Sequence, residues 1–191
     1  MEWINPFGLV FITVIMIPNI VFAIRCKDGF TNNYRNKTVE LVEQIGRYGC
    51  FSFMVFNVPG TWFGWASNEV FALYLILDAL LVALYCILWI VCWKINGMVK
   101  ALALSVIPSV DFLISGIMSR SVLLTVATLL FAPAHIFISS QHLCEKLGMR
   151  REGLFREFVS FVNDADGNPI YENTYQYAIL KKEWYLQGGN T

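Results

Sequence analysis

Residues 70–93 read VFALYLILDALLVALYCILWIVCW, an apolar run broken by one charged residue, Asp78. About 20 helical residues cross the hydrocarbon core of a bilayer, and a helix satisfies its own backbone N–H and C=O groups where there is no water to do so. This segment meets that requirement, and its neighbours follow the same pattern. Phe7–Ile24, Tyr48–Trp65, Met98–Met118 and Val122–Ile138 are apolar and of similar length. The sequence therefore predicts a mainly α, polytopic membrane protein of about five transmembrane helices over residues 1–138. A short C-terminal α+β segment, helix plus β-hairpin, follows over 139–191.

Composition supports the division. The chain is 57% hydrophobic with a mean hydropathy of +0.55, too apolar for a water-soluble domain of 191 residues. Residues 1–139 hold 8 Lys/Arg and 7 Asp/Glu, whereas the much shorter stretch 140–191 holds 6 and 7. A net charge of zero offers no basic face for phosphates, so no nucleic-acid partner is expected. The cysteines, Cys26, Cys50, Cys86, Cys92 and Cys144, are scattered without CxxC or histidine spacing, so no metal site is expected and they read as packing residues.

Pro18, Pro59, Pro108 and Pro133 fall inside four of the segments, each removing the donor to a carbonyl one turn earlier, which membrane helices tolerate. Trp3, Trp62, Trp65, Trp89 and Trp93 lie near segment ends, where an indole favours the headgroup layer. No Lys or Arg precedes Arg25, so the first span lacks the basic start of a cleavable signal and is expected to be retained. Basic residues then set the orientation. The first loop carries Arg25, Lys27, Arg35, Lys37 and Arg47, the second none, the third Lys94 and Lys100, the fourth Arg120. The expected location is the plasma membrane, multi-pass, with the N-terminus outside and the C-terminal tail cytoplasmic. Within the first loop, the run from Thr38 reads as either an amphipathic helix start with Glu43 and Arg47 paired at i,i+4 or a solvated interfacial turn.

Ionisable groups at membrane depth are costly and mark candidate sites. At about 1.5 Å per residue, Asp78 and Asn57 lie about 12 Å, and Asp111 about 10 Å, from the outer ends of their spans. The candidate intramembrane polar site is therefore Asn57, Asp78 and Asp111. Two adjacent carboxylates cannot both ionise cheaply, so the pair either binds a proton or cation or is protonated and joins helices by hydrogen bonds. His135, near the inner end of the fifth span, reads as an interfacial polar residue.

From Ser139 the texture changes. Residues 139–147 read as a helix stopped by Gly148, and Leu154–Val162 and Ile170–Leu180 as strands joined by the turn 163–169. Leu143-Cys-Glu-Lys-Leu-Gly-Met-Arg-Arg-Glu-Gly153, then Leu154-Phe-Arg-Glu157 and Tyr177-Ala-Ile-Leu-Lys-Lys-Glu-Trp184, resemble the C-terminal end of the GNAT N-acetyltransferase superfamily. The resemblance implies a helix followed by late strands, the last ending in the Tyr177–Trp184 block. It also implies what is missing. The family's glycine-rich pyrophosphate loop has no counterpart here, Phe137 stands at its usual Asn position, and Cys144 stands where many members have a catalytic Tyr.

The expectation is thus an integral membrane protein of unknown activity with a truncated, non-catalytic GNAT-like tail. It is joined near Ser139 by a gene fusion or an assembly error, and no cofactor is expected. One alternative is a membrane-anchored N-acetyltransferase using acetyl-CoA; another is a small proton- or cation-coupled channel or transporter. The expected partners are the lipid bilayer, a second copy of the chain, or a soluble GNAT chain. Phe155, Phe158, Phe161, Tyr175 and Tyr177 are expected to leave aromatic surface on the tail.

Overall fold

The structure is a computed structural model describing residues 3–25, 37–92 and 98–186, with every side chain in those ranges except those of 98–102, 142, 146, 161–162 and 172. Cys26, Lys27, Arg35, Trp93 and Lys94 lie outside the described residues, as do the side chains of Lys100 and Phe161. The chain is mostly helical: α1 (Pro6–Arg25), α2 (Lys37–Val55), α3 (Asn68–Val91), α4 (Met98–Met118), α5 (Val122–Lys146), then β1 (Arg150–Asn163), β2 (Pro169–Ala178) and α6 (Lys181–Leu186). Three helices, over Pro6–Arg25, Asn68–Val91 and Val122–Glu145, are long and apolar enough to cross a membrane. Two compact units result, Met1–Gln141 and His142–Thr191.

In the first unit the helices begin where the sequence caps them. Asn5 accepts from the Gly8 N–H at 3.2 Å, with Pro6 at the first helical position where its missing donor costs nothing. Ser67 and Ser121 accept from the N–H groups of Val70 and Leu124 in the same way. Each helix is sided. On α3, Leu73, Ile76, Leu80, Leu84, Ile87 and Ile90 are exposed, while Tyr74, Asp78, Val82, Tyr85 and Trp89 are buried one helical face away. Polar residues such as Ser105, Ser109, Ser115, Ser119 and Thr128 are buried while large apolar side chains face outward, an arrangement compatible with a bilayer.

Two apolar clusters hold the unit. Cys50 and Met54 of α2, Phe112 of α4, and Leu124, Ala127 and Phe131 of α5 form one; Ile15 of α1 with Val82, Tyr85 and Trp89 of α3 form the other. Glycines permit the close approaches. A Cβ on Gly46 would lie 2.6 Å from the Phe131 nitrogen, and one on Gly116 would lie 2.8 Å from Thr125 Oγ1.

The second predicted span is corrected here. The helix runs over Lys37–Val55 rather than Tyr48–Trp65, because Pro59 lacks an N–H and disfavours helical geometry at Val58, and Gly60 and Gly64 adopt φ of 85° and 155°. The chain from Phe56 onward leaves the helix and pairs with the N-terminal segment through an Ile4–Phe56 bridge and an Asn57 N–H to Trp3 carbonyl bond of 2.9 Å. Of the two readings of the run from Thr38, the amphipathic helix is the one found, with Arg47 Nε donating to Glu43 Oε1 at 3.1 Å.

In the second unit Gly148, at φ 69°, ends α5 as expected, the Met149 N–H returning to the Cys144 carbonyl at 2.9 Å. β1 and β2 pair antiparallel as a two-stranded sheet. The turn between them is built on Asp164, which accepts from the N–H groups of Asp166 and Asn168. A bulge between Phe155 and Val159 places Glu157 at φ 50°, with its N–H on Asn173 Oδ1. Phe155, Phe158 and Tyr175 are exposed and Tyr177 is half-buried.

The second strand stops at Ala178. The block resembling a terminal strand turns into α6 instead, because Glu183 reaches back to the Leu180 N–H at 2.9 Å and also accepts from Arg150 at 2.7 Å. The Leu180 N–H, then the Arg150 guanidinium, hold the Glu183 carboxyl below its usual 4.5. A depressed folded value means the contribution is intact above pH 4.5 and is lost as pH falls through the lower, folded value. The Trp184 amide, bonded to the Leu180 carbonyl, is therefore expected to lose hydrogen-exchange protection on acidification below that pH. In Glu183→Ala the protection is expected to be low and independent of pH across this range.

Candidate functional site

The α3–α4 contact places one carboxyl group on each helix inside the first unit. Asp78 and Asp111 are both 0% exposed. Asp78 Oδ2 accepts from the Ser115 hydroxyl at 2.5 Å, which ties α3 to α4. Asp111 lies one turn before Ser115 on α4 and Tyr74 one turn before Asp78 on α3, so all four share the inner faces of these helices. The two carboxyl groups lie within electrostatic reach of each other and of the Tyr74 hydroxyl. That hydroxyl accepts from Asn5 Nδ2 at 3.3 Å, linking the site to the cap of α1.

The bonding of the pair is unequal. Among the described residues, neither carboxyl oxygen of Asp111 has a hydrogen-bond partner, and Asp78 Oδ1 has none. No lysine, arginine or histidine is paired with either acid among these residues. An isolated buried carboxylate is costly in a low-dielectric interior. The third residue predicted for this layer, Asn57, lies past the end of α2, where its N–H meets the Trp3 carbonyl.

A second polar cluster lies between α2 and α5. Glu43, 3% exposed, accepts at Oε1 from Arg47 and meets His135 Nδ1 at 3.0 Å across 92 residues of chain. The His135 ring stacks on Phe131 with centroids 4.6 Å apart. The sequence showed the Glu43–Arg47 spacing but assigned it to a loop and His135 to an interface. The missed signal was the pair Gly46 and Gly49, which lets α5 approach the middle of α2.

The ends of the elements are aligned by backbone bonds. The Asn5 N–H donates to the Val55 carbonyl at 2.8 Å, and the Gly64 N–H to the Ser119 carbonyl at 2.9 Å, so the start of α1, the end of α2 and the α4–α5 turn share one end of the unit. Among the described residues no group of three or more His, Cys, Asp or Glu is placed to hold a metal ion. No family model matches the chain, and neither a curated protein nor a solved structure resembles it significantly.

Proposed function

We propose that this is a five-span integral membrane protein of the plasma membrane whose working part is the helical unit, and that the Asp78–Asp111 pair is its proton- or cation-coupled site. The second crossing is α2, whose 19 residues span about 28 Å of helix. The loop charges favour an outer N-terminus and a cytoplasmic tail.

Asp111 carries this reading. A carboxyl group retained to join helices is expected to hydrogen-bond across an interface, as Asp78 does to Ser115, but neither oxygen of the fully buried Asp111 is so engaged. Unsatisfied buried polar groups cost stability, and persistence of one in the middle of a span favours a functional role. Proton flux into liposomes holding the purified protein and a pH-sensitive dye tests this. Asp78→Asn with Asp111→Asn is expected to lower the flux at least tenfold; wild-type flux in the double variant overturns the reading.

The C-terminal segment is proposed as a GNAT-like remnant without catalysis. Its two strands do not supply the splayed central sheet that the resemblance calls for, and the Tyr177–Trp184 block ends in α6. Titration of the full-length protein in detergent with acetyl-CoA is expected to give no micromolar binding. A micromolar dissociation constant restores the anchored acetyltransferase.

A further inference from the structure

We infer that Glu43, Arg47 and His135 form a second proton-binding station, in the half of the membrane unit opposite the Asp78–Asp111 pair. The inference rests on the proposal that α2 is a span. Its position follows from the aligned ends. Glu43 precedes Val55 by 12 residues and His135 follows Val122 by 13, which places both about 18–20 Å from the end that Asn5, Val55 and the α4–α5 turn share. In a core about 30 Å thick, about 10 Å separates them from the opposite water layer. The register correction of α2 is what moves these charges from a loop into the membrane.

The chemistry assigns the members different roles. Glu43 and Arg47 balance each other as an ion pair within one helix, so they need no third partner. His135 is the addition. Its Nδ1 faces a carboxylate oxygen, an acceptor, so Nδ1 carries the hydrogen in the neutral ring and Nε2 is the nitrogen that takes up a proton. On protonation the carboxylate faces an imidazolium, and the proton's charge is met at 3.0 Å without a new contact. From α4, the neighbour of this stretch of α5 is the uncharged Phe112, through Phe131. Glu43 and Arg47 are the charged groups that α2 presents to the ring. A groove of about 300 Å³ between α2 and α5 is lined by Thr38, in the first turn of α2, and by Val42 and Ala134, which adjoin Glu43 and His135 in sequence.

The protonation state of His135 reads this out independently of transport. Full-length protein labelled with 15N-histidine is placed in nanodiscs, with His142→Asn used to assign the two histidines. Moving from pH 8 to pH 5 is expected to convert His135 from the Nδ1–H tautomer to a ring protonated on both nitrogens. Glu43→Gln keeps an acceptor but removes the balancing charge, and the doubly protonated signal at pH 5 is expected to fall at least threefold. Arg47→Gln removes the competing cation and is expected to raise it, which serves if Glu43→Gln fails to reconstitute. One unchanging state of His135 across this range, or indifference to both variants, overturns the station. A titrating His135 in a protein without flux supports the station and retires coupled transport; flux with His135 locked overturns the station alone.

Discussion

Asp111→Leu is expected to make the helical unit more stable, by about 1–3 kcal/mol, while removing the proposed proton site. The two consequences have one cause. In the wild type both Asp111 oxygens are buried without a hydrogen-bond partner among the described residues, so the side chain contributes desolvation cost and no compensating bond. Leucine is larger, but it carries no polar atom to satisfy. Asp78→Leu should move in the opposite direction, because it leaves the Ser115 hydroxyl without its acceptor and breaks the α3–α4 bond. Denaturant unfolding of both variants in nanodiscs measures the contrast. Destabilisation by Asp111→Leu to the same extent as by Asp78→Leu would mean that Asp111 is a structural group, and it would remove the main support for the proposed site.

Asp78 and Asp111 were legible from sequence because depth in a span is arithmetic: a fixed rise per residue and two segment ends place a side chain without knowledge of its neighbours. The segment from Tyr48 to Trp65 was misread because its hydropathy is that of a span while its backbone is not helical past Val55. Pro59, Gly60 and Gly64 carried that information locally, but membrane helices tolerate prolines, so the apolar pattern outweighed them. The cost fell on Glu43 and His135. Glu43, placed by the misread register in a loop, and His135, read as interfacial, gave no sign of meeting, since their contact depends on how α5 packs against α2. In the tail, Gly148 and the Asp164 turn were legible from local chemistry, as was the hairpin. The α6 turn was not, because it depends on Glu183 capping Leu180 while Arg150, 33 residues away, binds the same carboxylate.

Gly46→Val is expected to separate α2 from α5 and with them the Glu43–His135 contact. The glycine is needed for space. A Cβ there would lie 2.6 Å from the Phe131 nitrogen, 2.7 Å from its Cα and 2.8 Å from its Cβ, so the obstacle is mainly backbone, which cannot rotate away as a side-chain tip can. Overpacking of this kind costs about 1–3 kcal/mol, and a β-branched residue adds χ1 crowding in a helix. Gly49→Ala meets Ala127 Cβ at 2.9 Å and should cost less, since only one methyl must yield. Unfolding measurements on the two variants should therefore rank them in that order, with Gly46→Val the more damaging by at least about 1 kcal/mol. The position also makes a distinction that a stability loss alone does not. Gly46 lies one turn from Glu43 and Phe131 one turn from His135, so a displaced α5 carries His135 away from the carboxylate while leaving the Glu43–Arg47 pair within α2 intact. A His135 ring that stays bonded to Glu43 in Gly46→Val would show that α2 and α5 can part at this glycine without parting at the cluster, and would separate helix packing from the polar contact.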